Sequence, residues 1–249
     1  MIINDLYHLT KDQNRRYAKS NLTNLVFTNS RFEGLTTTLP QTQTIIDGMS
    51  VEGVPIDDIN IIVQLKRGWQ YVINSDDPLN MKFLQHINKI VARDESLDPG
   101  NFRTGNGAVA TDKGEFIPED FDFEKENTFL NDLLQSDRSI TDKSLTLMYQ
   151  MMRGQWFWDG NKRTATLAAN KLMIDNGTGL INVPVNKWEK WNELISSFYY
   201  SGDMKELKEW TYREGIQGVF FNNSRNREKS VNKIDFSNYH PDKNNGRNR

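Results

Sequence analysis

The chain has 249 residues, 37% of them hydrophobic and 11% aromatic, with a formal net charge of -2. Such a chain is globular and long enough for one sizeable core or two small ones, and its charge argues against a strongly basic nucleic-acid binder or a membrane-surface protein. It contains no cysteine, which removes disulfides, zinc–thiolate sites and thiol nucleophiles.

Met1–Lys11 lacks a basic start followed by an apolar run, so no signal peptide is expected. No stretch approaches the roughly 18 apolar residues of a membrane span. A cytoplasmic protein is the resulting expectation. Apolar spacing predicts mostly helix. Ile59, Ile62, Val63, Trp69 and Ile73 recur at helical intervals, as do Phe83, Leu84, Ile87, Ile90 and Val91, and Leu97-Asp98-Pro99-Gly100 closes the latter segment. Ala108–Thr111 and Glu115–Pro118 break the rhythm around Asp112-Lys113-Gly114, which predicts a short β-hairpin with an exposed edge that includes the Val109 main-chain donor. Thr141 or Asp142 is the expected cap of a helix that turns Leu145, Met148, Met151 and Met152 inward.

A further helix is predicted from near Gly160 through Leu167, Ala168 and Leu172, with a left-handed stop at Asn176-Gly177. Trp188, Trp191, Leu194, Ile195 and Phe198 mark another, and Met204, Leu207 and Trp210 a short last one. Residues 222–249 carry seven Lys/Arg against three Asp/Glu, eight Asn and almost no large apolar side chains, so a disordered basic tail is expected there. The remainder of the chain is then near -6.

Chemistry concentrates in Gln155-Trp156-Phe157-Trp158-Asp159-Gly160-Asn161-Lys162-Arg163, just before an apolar-periodic helix. Gly160 and Asn161 tolerate unusual backbone angles, so successive N–H groups can converge on one anion, and the helix dipole points the same way. Lys162 and Arg163 add cations, and arginine grips phosphate oxygens in a bidentate way. A carboxylate at Asp159 amid this positive potential suits Mg²⁺ that bridges phosphate oxygens. The plainer alternative is a helix capped by Asp159, with the cations solvated.

The stretch resembles the Fic motif, His-x-Phe-x-Asp/Glu-Gly-Asn-Gly-Arg-x-x-Arg, and more closely the Asn-Lys-Arg variant of Doc-like members. Phe157, Asp159, Gly160, Asn161 and Arg163 match it. Pro99-Gly100-Asn101-Phe102-Arg103 and the following hairpin resemble the family's target-binding flap (99–118), and Arg31-Phe32-Glu33-Gly34 ends a segment (22–34) similar to the inhibitory helix of N-terminally regulated members. Asn182-Val183-Pro184 and Tyr200-Ser201-Gly202-Asp203 stand where the family has similar residues.

The resemblance implies one domain over 1–221, a mostly all-α bundle with one short β-hairpin flap, and the motif at 155–166. It implies transfer of AMP from ATP to a Ser, Thr or Tyr hydroxyl of a protein held by the flap. In that scheme Asp159 holds Mg²⁺, Gly160 and Asn161 form the anion nest with Lys162 beside them, and Arg163 contacts the outer phosphate. Glu33 is the regulatory carboxylate. A nucleotide and a protein target are the expected partners, with no nucleic acid and no membrane.

Three positions depart from the family. Gln155 stands at the histidine that acts as general base, and an amide that does not titrate near neutral pH cannot accept the hydroxyl proton; losing a general base costs roughly 10²–10⁴-fold in rate. The chain's three histidines are His8, His86 and His240, none an evident replacement, and His86 lies on an apolar-periodic helix. Lys162 replaces the glycine of AMP-transferring members and matches the branch associated with phosphoryl transfer. Thr166 replaces the last motif arginine, which leaves Glu33 without its usual partner, and Asn29 replaces the small hydroxyl residue four positions before Glu33. An impaired transferase, a nucleotide- or protein-binding module, Doc-like phosphoryl transfer and Glu33-assisted hydrolysis therefore stay open.

Overall fold

The computed structural model describes residues 1–111 and 113–220, so the basic tail expected at 222–249 lies outside the described residues. Helix α1 (Lys11–Ser20) opens with a capping box between Thr10 and Gln13. Helix α2 (Leu22–Ser30) runs straight into a 3₁₀ turn (Arg31–Glu33), which Gly34 ends in the left-handed region at φ 72°. A second capping box, Thr38 with Gln41, starts α3 (Leu39–Ile46). Then come α4 (Ile56–Asn74) and α5 (Met81–Val91), the latter capped by Asn80, whose side chain accepts from the Phe83 N–H. Strands β1 (Val109–Thr111) and β2 (Gly114–Phe116) form the hairpin, and α6 (Phe123–Gln135) follows with Asp122 as its cap.

Helices α7 (Ile140–Gly154) and α8 (Asn161–Asn176) make the central pair. Every residue of α8 from Arg163 to Ile174 is buried, so it shows no single apolar stripe and packs against α1, α4, α5 and α7. Its alanines Ala165, Ala168 and Ala169 let those neighbours approach. The chain closes with β3 (Leu180–Ile181), α9 (Trp188–Ser201), α10 (Lys205–Glu214) and β4 (Ile216–Gln217). The architecture is the mostly helical one expected, with one addition: β3 and β4 pair antiparallel, which makes a second small sheet besides the hairpin. Among the described residues, no helix is long and apolar enough to cross a membrane.

Two local expectations are corrected. The cap of α7 is Ser139, whose Oγ accepts from the Asp142 N–H at 3.1 Å, and not Thr141 or Asp142. The reason is remote in sequence: the Asp5 carboxylate accepts from the Thr141 N–H and Thr141 Oγ1, both at 2.8 Å, and from the Ile140 N–H at 3.3 Å. Helix-end donors that no side chain of the helix reaches are thereby paired. The hairpin strands also begin and end one to two residues inside the expected 108–118 limits. Asp5→Ala frees those donors and is expected to lower unfolding free energy by about 0.5–2 kcal/mol, measured by urea denaturation, with helix content unchanged.

Candidate functional site

The loop between α7 and α8 is fixed at both ends by its own side chains. Gln155 terminates α7 in the left-handed region (φ 45°, ψ 61°) and is the one non-glycine with positive φ among the described residues. Such a conformation is uncommon for glutamine and marks a constrained site. Both ends of its amide are engaged: Nε2 donates to the Met152 carbonyl at 2.6 Å, and Oε1 accepts from Asn161 Nδ2 at 3.0 Å. Asn161 in turn accepts from the Phe157 N–H (2.9 Å) and donates to the Phe157 carbonyl (2.8 Å). Asn161 thus spends its side chain on loop geometry, while the start of α8 remains open to a ligand.

Gly160 precedes α8 at φ 68°, and a Cβ there would stand 2.7 Å from the Ala92 Cβ. Both the backbone angle and the close approach therefore require glycine. No side chain caps α8. Asp159 is bonded through Oδ1 to the neighbouring Gly160 N–H, and its side chain is 46% exposed, which leaves Oδ2 free. Among the described residues no three His, Cys, Asp or Glu side chains cluster to hold a metal. One free carboxylate oxygen suits Mg²⁺, which is commonly held by one or two carboxylates together with substrate phosphates and water.

Two struts absent from the sequence reading position this loop. Asn88, buried on α5, donates to the Asp159 carbonyl (2.8 Å) and Thr164 Oγ1 (3.1 Å) and accepts from the Gly100 N–H (2.9 Å). It ties motif, α8 and flap base together. An asparagine within the apolar stripe Phe83, Leu84, Ile87, Val91 was the available signal. Arg103, also buried, donates to the carbonyls of Gln155 (2.5 Å), Gly105 (2.7 Å) and Glu119, so it clamps both ends of the flap to the end of α7. Phe102 pairs with Phe157 as an antiparallel bridge, and their rings stack at 4.9 Å.

The register of the hairpin is Val109 with Phe116, Ala110 with Glu115 and Thr111 with Gly114. A two-residue connection makes the first pair mutually hydrogen-bonded, and alternation gives the same to Val109 with Phe116. Val109 therefore donates inward to the hairpin, not along its free edge as expected; Ala110 presents its N–H and carbonyl outward. Tyr200 anchors the hairpin at its tip, with its hydroxyl 3.1 Å from Thr111 Oγ1. Beneath lies a cleft of about 620 Å³, lined by Ala110, Thr111, Lys162 and the α9 residues Glu189, Asn192 and Ser196, among others. Burial holds the Lys162 ammonium below its usual pKa, partly offset by Glu33.

Arg163 is fully buried and does not line this cleft. Its Nε stands 2.7 Å from Glu33 Oε1, and Nη1 pairs with Glu95 Oε2 at 3.0 Å and donates to the Val91 carbonyl. Among the described residues neither Nε nor Nη2 makes a hydrogen bond; the Nε contact with Glu33 is an ion pair, and Nη2 stands 3.8 Å from Asp159 Oδ1. The expectation that Glu33 lacks a partner is thus corrected: with Thr166 too short to reach it, Glu33 takes Arg163. Thr166 is buried and instead borders a cavity of about 20 Å³, the space of one water, together with Asn29, Phe32, Trp188 and Trp191. Phe32 packs against Trp188 and Trp191 at 5.0 and 5.6 Å, which fixes the turn that carries Glu33. Asn29 accepts from Trp69 Nε1 at 3.2 Å. His86 is exposed and packs on Tyr71, and His8 is exposed as well; neither meets the motif, and His240 lies outside the described residues.

Burial raises the Glu33 carboxyl above the usual carboxylate range; Arg163 opposes the shift, and Asp159 and Glu95 reinforce it. A carboxyl whose folded pKa is raised contributes stability that is complete below the unfolded value and is lost as pH rises through the folded value. Glu33→Gln keeps the neutral form at every pH. Its melting temperature relative to the unsubstituted chain is expected to climb as pH rises from below the carboxylate range towards neutrality; a constant offset contradicts the shift.

Residues 78–173 match the Fic/DOC family. No curated protein matches the chain in sequence. In structure the chain is similar to a Fic-domain-containing signalling protein from Bacteroides thetaiotaomicron (TM-score 0.70, 16% identity, 82% of this chain and 86% of that one). It is also similar to a Fic family protein from Desulfovibrio desulfuricans (0.67, 17%, 80% of this chain and 63% of that one) and to a fragment of Fic-1 from C. elegans (0.67, 16%, 82% and 69%). Residues 78–173 thus match the Fic/DOC family, and over about four-fifths of its length the chain has the fold of solved Fic proteins.

Proposed function

We propose that the chain binds a nucleotide with Mg²⁺ at the N-terminus of α8 and holds a protein segment along β1, as a Fic-type transferase scaffold that lacks its proton acceptor. The observation that carries this reading is convergence on one cleft: Lys162 and the outward-facing Ala110 of β1 line it, beside the Gly160 turn of a long buried helix. The N-terminus of α8 favours an anion there, and Lys162 supplies the cation that faces the space. Mg²⁺, when bound with the nucleotide, neutralises phosphate charge. A target strand paired with Ala110 through main-chain bonds would bring a hydroxyl to the phosphates without much sequence demand.

Transfer requires the hydroxyl oxygen to bond to phosphorus, the bond to the leaving phosphate to break, and the hydroxyl proton to reach a base. Gln155 does not supply that base, and its amide is already bonded at both ends. The same fact favours a binding module as the second reading, while the position of Lys162 favours Doc-like phosphoryl transfer over AMP transfer. Histidine is among the residues enriched at positive φ, so it suits the backbone at 155.

Incubation with ATP labelled at α or at γ separates the readings. Gln155→His is expected to raise protein labelling by roughly 10²–10⁴-fold, and Asp159→Ala in that background to abolish it. Label from the α position means AMP transfer and label only from γ means phosphoryl transfer; strong labelling without the substitution contradicts the role given to Gln155. Ala110→Pro removes the outward donor and leaves the paired hairpin bonds. It is expected to lower labelling of a target protein at least tenfold with Mg²⁺–ATP affinity retained, as read by isothermal titration.

A further inference from the structure

Glu95 belongs to neither the motif nor the 22–34 segment, yet its carboxylate stands 3.0 Å from Arg163 Nη1. It reaches the guanidinium from the stem between α5 and the flap, on the Nη1 side, whereas Glu33 approaches Nε from the turn after α2. The stem is itself pinned on both sides of Glu95. Gln64 of α4, buried, donates to Asp94 Oδ2 at 2.7 Å, and the Gly100 N–H donates to Asn88 Oδ1 at 2.9 Å. The Ser96 N–H donates to the Ala92 carbonyl at 3.0 Å. Glu95 is therefore held in place by its neighbours, and its meeting with Arg163 is built in.

Around this one guanidinium stand three carboxylates, Glu33, Glu95 and Asp159, against two cations, Arg163 and Lys162. Among the described residues only Nη1 of Arg163 is hydrogen-bonded; Nε is held by the Glu33 carboxylate as an ion pair at 2.7 Å, and Nη2 has no acceptor. A charged phosphate that approaches it meets an arginine already paired and a surplus of negative charge. Loss of Glu33 alone relieves only part of this, because Glu95 and the Val91 carbonyl keep Nη1 engaged.

We propose that Glu95 is a second carboxylate lock on Arg163, delivered by the flap stem, and that Glu33 and Glu95 together withhold this arginine from the outer phosphates of a nucleotide. The lock rests on the nucleotide reading given above and adds to it a regulatory residue tied to the flap.

The experiment is titration calorimetry of Mg²⁺–ATP and of AMP against the unsubstituted chain, Glu33→Gln, Glu95→Gln and the double variant. It is run at a temperature where circular dichroism shows each variant fully folded. Glutamine keeps the shape and an acceptor oxygen but removes the charge. Each single variant is expected to tighten Mg²⁺–ATP by up to about threefold, and the double variant by tenfold or more, beyond the product of the singles. AMP, which lacks the outer phosphates, is expected to bind all four alike. If Glu33→Gln gives the whole gain and Glu95→Gln adds nothing in that background, the lock is overturned and Glu95 is a structural partner of Arg163, while nucleotide binding stands. An equal gain for AMP also overturns it, since the effect would not be on outer phosphates. Absence of Mg²⁺–ATP binding in all four overturns the nucleotide reading and the lock with it.

Discussion

A guanidinium with no exposed surface has to be paired where it lies, because stripping its hydration costs several kcal/mol unless acceptors replace it. Arg163 meets that demand with groups from three separate parts of the chain: Glu33 after α2, Val91 and Glu95 at the end of α5, and Asp159 of the motif loop nearby. Those parts are 60 to 130 positions apart in sequence in round terms, so their meeting at one side chain defines where the N-terminal turn sits over the motif. The aromatic contact of Phe32 with Trp188 and Trp191 places the same turn from its other side. The charge pair and the aromatic trio together make Glu33 a fixed element of the site.

Around that centre, polar side chains replace regular secondary structure. The flap has only three residues in each strand, far too little pairing to hold an orientation by itself. Arg103 and Asn88 supply the orientation, one through carbonyls at both flap ends and the other through the Gly100 N–H. Both are fully or almost fully buried, where each bond is worth more and each lost partner costs more than at the surface. The cleft under β1 therefore has rigid walls on the motif side. On the other side its wall is α9, joined to the hairpin tip through Tyr200 and to the hairpin's far end through Phe116, whose ring stacks on Tyr199 at 5.4 Å.

Lys162 and Gln155 give the site its particular character. Lys162 follows Gly160 and Asn161 and lines the cleft, in a place where burial already disfavours the ammonium form. A bound anion would relieve that penalty. Gln155, at the opposite end of the loop, serves as a tie between α7 and α8. One end of the loop is thus poised for charge, and the other for shape.

Much of this was legible in the sequence. Apolar periodicity located α4, α5, α7, α8, α9 and α10, and the turn residues 112–114 located the hairpin, because each signal is local. The capping boxes Thr10–Gln13 and Thr38–Gln41 were equally local signals for α1 and α3, which the apolar spacing alone did not pick out. The motif residues 155–163 marked a candidate phosphate site, since a glycine, two cations and a carboxylate stand together at a helix start, with a plain helix cap as the other reading. What the sequence does not carry is which distant groups meet. Asp5 pairs the first N–H groups of α7 from 135 positions away, Asn88 and Arg103 brace the motif, and Glu33 takes Arg163 in place of the missing arginine at 166. Each of these pairs arises because a buried polar group must find a partner, and only the packed chain decides which partner is within reach.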